Sequence, residues 1–385
     1  MTEPEFHGVI DFPRKGFDSI WGSTFLCIGW AVCVDPITNI DLKVNGETVG
    51  KLIRGFPRPD VVKDHPKFAD QRNCGFYGQA SAESYQKGKY AMSAVVKTAT
   101  HEFSIGPVDF EFHPELFLKK KGKILDLLRC PECGGRFSEQ PTELACMNCK
   151  KTFRTIYQTP FFVDDPESAI SPRTTPSSPY SERAKRIIKE NQRGIVLDCG
   201  SGYPLEQYEN VIQVDMEKYP STDCVADVLQ LPFQDECFDG IISQSVIEHV
   251  RNPFAYVAEM QRILKDGGYI VADTGFLQPL HAYPNHYFNT SISGMQRLFR
   301  TFEHIESGVA EYQVPWYMLR WVLNSYSEGI EDAAQRVAFL KSTMEDALKI
   351  LNEKPNKYPY EPLRPDSVQQ LACGVYFFGR KRSTT

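Results

Sequence analysis

The stretch Gly194–Asp215, "GIVLDCGSGYPLEQYENVIQVD", holds an apolar run, a tight glycine turn and a second apolar run that ends in an acid. Short apolar runs punctuated by glycine read as buried strands of a parallel sheet. At the end of such a strand a glycine turn lets the backbone approach a ligand, over the N-terminus of the helix expected next. A dinucleotide-binding turn carries three glycines, because both phosphates need amides aimed at them. Here Gly200 and Gly202 are followed by Tyr203 and Pro204, and Pro204 removes an N–H donor. That departure weakens the case for phosphate binding.

Three acids surround the turn. Asp215, fifteen residues beyond Gly200, ends the second run, where a carboxylate can accept both hydroxyls of a ribose. Asp227 ends the third run, in "VADVLQLPF", and suits an adenine amino group; Asp198 closes the first. Carboxylates at one sheet edge repel phosphates and tolerate a cationic nucleoside. S-adenosylmethionine has ribose, adenine and a sulfonium, and no phosphate.

From Gly194 onward the chain alternates. "GIVLDC", "NVIQVD", "DCVADV", "FDGIISQS" and "GGYIVADT" are five strand candidates, and "NPFAYVAEMQRILKDGG" is a helix that stops at paired glycines. Alternation of this kind predicts an α/β doubly wound, Rossmann-like domain with helices on both faces of its sheet. "SERAKRIIKENQRG" predicts a helix capped by Ser181. The motifs "VLDCGSG", "VIQVD", "ADVLQLPFQDECFDGIISQSVIEHV" and "PFAYVAEMQRILKDGGYIVADT" together resemble the class I S-adenosylmethionine-dependent methyltransferases, type 11 group, over roughly 187–302. The resemblance implies that Gly200 and Gly202 line the methionine moiety, Asp215 binds ribose and Asp227 reads adenine. Asp198, Val228 and Ser243 complete the expected cofactor set.

Upstream, "CPECGGRFSEQPTELACMNC" places Cys130 and Cys133, then Cys146 and Cys149, as two CxxC pairs twelve residues apart. Two thiolates on each of two turns can complete a tetrahedron around one ion, which predicts a structural Zn2+. The module resembles the zinc ribbon that precedes some such methyltransferases, "RTIYQTPFFVDD" being its usual end.

Before it, "STFLCIGWAVCV", "NIDLKVNGETVGKLI", "KYAMSAVVKT" and "HEFSIGPVDFEF" read as strands, with Asn45-Gly46 as a hairpin turn. An antiparallel β-sandwich follows. Its "GWAV", "VNGETVG" and "FPRPDVV" are similar to modules of surface-glycan enzymes. Between sandwich and ribbon, "PELFLKKKGKILDLL" is a linker or short helix whose Lys119, Lys120 and Lys121 read as a solvated face.

An oxygen acceptor must lose a proton, and histidine suits that task. His249 in "VIEHV", and His281 and His286 in "GFLQPLHAYPNHYFNTS", are the candidates; His304 reads as a surface residue. Glu248 either orients His249 or starts a solvated helix. Trp316, Tyr317 and Trp321 read as core packing rather than a lid over the acceptor.

The 385 residues carry a net charge of −6, with 42% hydrophobic and 24% charged residues, ordinary values for a soluble multidomain protein. The acidic balance speaks against general nucleic-acid binding. No run is long enough to span a bilayer, the first residues lack signal-peptide character, and eleven cysteines fit a reducing compartment, so a cytoplasmic location is expected. The expected organisation is a β-sandwich (1–115), a four-cysteine ribbon (125–165) and a methyltransferase domain (180–385) with a helical insertion at about 316–352. The expected reaction is methylation of oxygen on a sugar, glycan or other small polar metabolite. The alternatives are an RNA methyltransferase that grips its substrate through the ribbon, and a binding protein with an inactive cofactor fold.

Overall fold

The computed structural model describes residues 4–13, 19–170, 177–204, 206–281, 285–310, 312–343 and 345–346. It divides into two compact units, Met1–Gln244 with Ala258–Ala272, and Ser245–Val257 with Asp273–Thr385. The stretch "ACGVYFFGRK" near the end of the sequence, which reads as a strand, lies outside the described residues.

The first unit begins with β1 (Phe6–Phe12), β2 (Ser19–Trp21), β3 (Thr24–Cys33), β4 (Asn39–Val44), β5 (Glu47–Lys51), β6 (Ile53–Phe56), a short helix α1 (Pro59–Asp64), β7 (Gly75–Ser81), β8 (Gly88–Lys97) and β9 (Glu102–His113). Asn45 and Gly46 take φ of 48° and 86°, the paired positive values of the turn that closes a two-residue hairpin. One sheet runs β1-β3-β7-β6 and the other β2-β9-β8-β4-β5. Both contribute to one apolar core, with Phe25, Phe76 and Phe112 fully buried in it.

Helix α2 (Glu115–Leu127) follows, then β10 (Phe137–Glu139), β11 (Glu143–Cys146), β12 (Thr152–Ile156) and β13 (Thr159–Phe162). Next come α3 (Glu182–Glu190), β14 (Val196–Cys199), β15 (Val211–Asp215), β16 (Cys224–Ala226), β17 (Phe238–Gln244), α4 (Pro253–Ile263) and β18 (Leu264–Asp273). Ser181 caps α3 by accepting from the Ala184 amide, as its sequence predicts. All five expected strands are present. Their order, β16-β15-β14-β17-β18, reverses beside β14 and makes the crevice of a doubly wound fold at the β14/β17 carboxyl ends. The cysteine module does not stand apart: β13 pairs in parallel with β16, Phe161 opposite Val225, so one nine-stranded sheet runs from β10 to β18.

The helices depart from expectation. No helix among the described residues follows the glycine turn, nor joins β15 to β16 or β16 to β17. These connections are short, and Pro204 cannot donate inside a helix. The sheet is therefore not covered by an alternating helix on each face. Part of the cover comes instead from the first sheet pair: Tyr203 and Tyr219, from two of the helix-free connections, cluster with Leu26 and Ile28 of β3. Gln79 of β7 donates to the Lys218 carbonyl at 3.0 Å, and Tyr157 donates to the Gln79 carbonyl at 3.2 Å. Gly22, at φ +133°, leaves only 2.1 Å between a would-be Cβ and the Pro220 carbonyl oxygen. Helix α4 also stops early, at Ile263, because Glu236 and Cys237 take the Arg262 and Ile263 carbonyls; Gly267 and Gly268 fall inside β18.

The lysine triplet needs a correction. Lys119 pairs with Glu209 at 3.2 Å and Lys121 with Glu139 at 2.7 Å, but Lys120 is buried and meets the buried Asp223 at 2.5 Å. Its position on the inner face of α2 puts it beside Phe117, Ile124 and Leu127, the helix's other covered side chains.

In the second unit, α5 (Ile292–Leu298) comes first, and α6 (Pro315–Gly329) and α7 (Ala333–Lys341) then fall within the helical region expected at about 316–352. None of the described helices is long and apolar enough to cross a membrane.

Replacing one partner of a buried pair strands the other. Lys120→Ala should lower stability by about 3–5 kcal/mol, read as a fall in the urea midpoint, and adding Asp223→Asn should recover part of it. An unchanged midpoint in Lys120→Ala would show that the pair holds nothing.

Candidate functional site

The glycine loop is defined by where its amides point. The Gly200 and Ser201 amides both donate to the Val214 carbonyl, at 2.8 and 3.1 Å, and the Gly202 amide donates to Asp215 Oδ2 at 2.7 Å. The anion held by this loop is thus the protein's own carboxylate, and these three amides face no open phosphate site. Gly200 and Gly202 take φ of 75° and 57°, which glycine adopts without strain. Ser177 lies over the turn: its amide donates to the Tyr203 carbonyl at 2.9 Å and its hydroxyl to that of Ser201 at 2.8 Å.

Of the expected cofactor residues, Asp198 lies on β14, Asp215 on β15 and Ser243 on β17, while Gly200 and Gly202 are in the turn after β14 and Asp227 and Val228 directly follow β16. Asp215 is partly buried; its Oδ1 also accepts from the Glu217 amide at 3.0 Å. Burial pushes its carboxyl up to about 6, against the opposing pull of those amides. Asp227 closes β16, accepts from the Leu229 amide at 2.9 Å, and is partly exposed. Asp198 differs. It is buried, accepts a 2.6 Å bond from the Tyr180 hydroxyl, and burial raises it to about 7. Val228 is buried beside Asp227, and Ser243 is fully buried near the end of β17.

The four cysteines come together as a cluster that can hold a metal ion. Cys130 Sγ lies 3.7 Å from Cys149 Sγ, and Cys133 Sγ 3.5 Å from Cys146 Sγ. Four sulfurs bound at 2.3 Å around zinc would stand about 3.8 Å apart, so the donor set fits. The Gly135 amide holds the Cys133 thiol down to about 6, while burial pushes Cys130 up to about 12.

The second unit gathers the three candidate histidines. His281 Nε2 lies 3.2 Å from His249 Nε2, and His286 Nδ1 3.1 Å from His281 Nδ1. Trp321 of α6 meets His281 with ring centres 5.2 Å apart and planes tilted by 41°. Glu248 is not a solvated helix start. It is 1% exposed, accepts from the Thr274 hydroxyl at 2.8 Å, and its Oε1 has no hydrogen-bond partner. Burial lowers the His281 pKa, which keeps that ring neutral near pH 7. His304 stays exposed and contacts Ser307.

Sequence reasoning passed over Tyr180, Ser177 and Asp273. Asp273 ends β18, is pushed up to about 6 by burial, and accepts from Tyr312 at 2.5 Å and Gln313 at 3.1 Å. The signal for it was present: "IVAD" repeats the apolar-run-then-acid pattern of "VIQVD".

A family model described as "Methyltransferase domain" matches residues 196–272. That span begins with β14 and ends within β18, so the match covers the strands of this sheet and the glycine loop with its acids. An uncharacterized protein of Methanocaldococcus jannaschii is 35% identical over 94 residues, covering 21% of this chain and 41% of that protein. An uncharacterized methyltransferase of Schizosaccharomyces pombe is 32% identical over 63 residues, covering 16% and 23%. The chain spans less than half the length of the curated relatives it matches. Among solved structures, a phosphoethanolamine N-methyltransferase of Haemonchus contortus with S-adenosyl-L-methionine aligns at 17% identity, with a TM-score of 0.27, over 44% of this chain and 47% of that one. Fibronectin(III)-like modules of Clostridium thermocellum CbhA align at 9% identity and a TM-score of 0.20, over 28% and 94%.

The raised carboxyls set a pH dependence. Asp198 binds its proton more tightly folded, with a pKa of about 7, than at its ordinary 3.8. Its stabilising contribution is therefore complete at low pH and is lost as pH rises through about 7. Melting of the ligand-free protein should fall more steeply between about pH 5 and 7 than melting of Asp198→Asn, which keeps an acceptor for Tyr180. Equal slopes by differential scanning fluorimetry would exclude a buried, protonated Asp198.

Proposed function

We propose that this chain is an S-adenosylmethionine-dependent methyltransferase that acts on an oxygen of a small polar acceptor, a sugar or glycan hydroxyl being the preferred class. The observation that carries the reading is Asp215. Its carboxylate ends a strand beside the point where the sheet order reverses, inside the matched methyltransferase segment, and it accepts from the Gly202 amide of the glycine loop. Such a site rejects phosphates and favours ribose hydroxyls and positive charge.

In this reading Asp215 accepts both ribose hydroxyls and Asp227 the adenine amino group. Gly200 and Gly202 line the methionine chain, and Val228 gives the adenine ring an apolar wall. Asp198 and Ser243, being buried, shape the site from behind. The cofactor supplies a methyl group on a sulfonium, whose thioether is already a good leaving group. The chain's task is then alignment and removal of the acceptor's proton. His249, His281 and His286 serve the acceptor hydroxyl, with the exposed rings of Tyr287 and Phe288 nearby in sequence offering faces to a sugar. Zn2+ held by Cys130, Cys133, Cys146 and Cys149 is structural, since four sulfurs leave it no open position.

The RNA reading rests on the ribbon alone, since Lys119, Lys120 and Lys121 each face a carboxylate and add no basic patch to it. Asp215→Ala should weaken cofactor binding at least about tenfold, roughly 1.4 kcal/mol, in calorimetry while circular dichroism is unchanged. Unaltered affinity would remove Asp215 from the site. Stripping the metal with a chelator should release zinc and loosen β10–β12, with cofactor affinity kept within about tenfold; loss of all binding would make the ribbon part of the site.

A further inference from the structure

The histidine cluster has a tautomer problem that its own hydrogen bonds solve. Asn289 Nδ2 donates to the Gln278 carbonyl at 3.1 Å, which turns its Oδ1 toward His286 Nε2 at 2.8 Å. An amide oxygen only accepts, so His286 carries its proton on Nε2 and offers a lone pair at Nδ1. That lone pair faces His281 Nδ1 at 3.1 Å, and the Pro279 carbonyl faces the same nitrogen at 3.1 Å. Both neighbours are acceptors, so His281 is protonated at Nδ1. His249 Nδ1 lies 2.6 Å from the Asn285 carbonyl and is a donor for the same reason.

Neutral rings with protonated Nδ1 atoms carry their lone pairs on Nε2. Those are the two nitrogens found 3.2 Å apart. Two lone pairs at that separation repel unless a cation lies between them. One carboxylate oxygen of Glu248 and one ring nitrogen from each of His249 and His281 all lie within 4.8 Å of one another. Glu248 is 1% exposed and its Oε1 is unsatisfied, which costs roughly 1–3 kcal/mol for a buried acceptor and more for a charged one. The Thr274 hydroxyl holds the other oxygen, Oε2.

We propose that Glu248, His249 and His281 form a divalent transition-metal site, separate from the four cysteines. Nitrogens bonded at about 2.05 Å and 3.2 Å apart subtend about 103° at the ion, close to a tetrahedral angle. Each ligating ring donates its far N–H to a backbone carbonyl, the arrangement that fixes a metal-binding tautomer. Two imidazoles and a carboxylate suit zinc and its neighbours better than calcium or magnesium. Three protein donors leave coordination positions for an oxygen-bearing ligand. His286 is a positioning residue, since it holds His281 by Nδ1 and offers the ion nothing. That the ion's open positions receive the acceptor's hydroxyl rests on the methyltransferase reading; that the ion binds does not.

Cobalt distinguishes the two sites, because only thiolates give sulfur-to-metal charge-transfer absorption. The full chain, stripped and titrated with Co2+, should take up about two ions, one with the thiolate band and one without. His281→Ala should lose the ion without the band and keep the other, and Glu248→Gln should weaken that second ion at least about tenfold. Wild-type protein that saturates at about one ion, wholly thiolate-bound, overturns the site and shows that a proton bridges the histidines. So does a His281→Ala variant that still binds both. Calorimetry with S-adenosylmethionine on the same samples reports separately. A protein that binds the second ion but no cofactor refutes the methyltransferase reading and leaves the metal site standing.

Discussion

Asp223 is the point on which the first unit turns. Its Oδ2 meets Lys120 of α2 and accepts from the Gln213 amide of β15 at 2.9 Å, while its own amide donates to the Gln213 carbonyl at 2.8 Å. One residue earlier, the Thr222 carbonyl accepts from Thr159 of β13 at 3.3 Å. A single buried charge therefore joins the linker helix, the cysteine module's last strand and the parallel sheet. Buried pairs of this kind seldom add stability over an apolar substitute. What this one supplies is register. Lys120 is a single buried cation among the apolar side chains of α2's covered face, so the helix docks in one rotation.

That docking explains a sheet with so few helices. Parallel strands usually return through a helix that covers the sheet, because the connection must cross a face. Here the returns after β14, β15 and β16 carry none. The apolar surface that the helices would have buried still needs cover, and part of it comes from the first sheet pair through Leu26, Ile28, Tyr203 and Tyr219. Tyr203 and Tyr219 stack nearly parallel, 7° between planes at 6.4 Å, and Phe12 meets Tyr203 edge-on. The Tyr-Pro that replaces a third glycine is thus spent on packing, and the glycine loop is braced by β3 rather than by a helix.

This is also where the sequence stopped being legible. Strand β15 could be read from "NVIQVD" because alternation and length are local properties, and so could the cysteine pairing, the hairpin at Asn45-Gly46 and the Ser181 cap. The missing helices were not readable, since a family pattern supplies them by default and only the tertiary contacts of Tyr203 show their replacement. Lys120 misled for the same reason: three adjacent lysines look solvated until one finds a partner a hundred residues away. The histidines were named singly, each as a base. Their convergence depends on irregular stretches, 274–281 and 285–289, that carry no periodicity, and the buried oxygen of Glu248 cannot be seen from its sequence neighbours.

The acids of the crevice show how one sheet edge assigns different tasks to chemically identical groups. Asp198 and Asp215 sit on neighbouring strands, and each disfavours the other's charge. Two carboxylates so placed do not ionise with equal ease. Burial raises both carboxyls, and against it Asp215 has two backbone amides to hold its charge where Asp198 has one phenol. Near neutral pH the proton resides on Asp198 and the charge on Asp215. The interior member of the pair is thereby neutralised, and the member beside the glycine loop keeps the charge that hydroxyls and a cation seek. Exchanging their partners, not their identities, would exchange their roles.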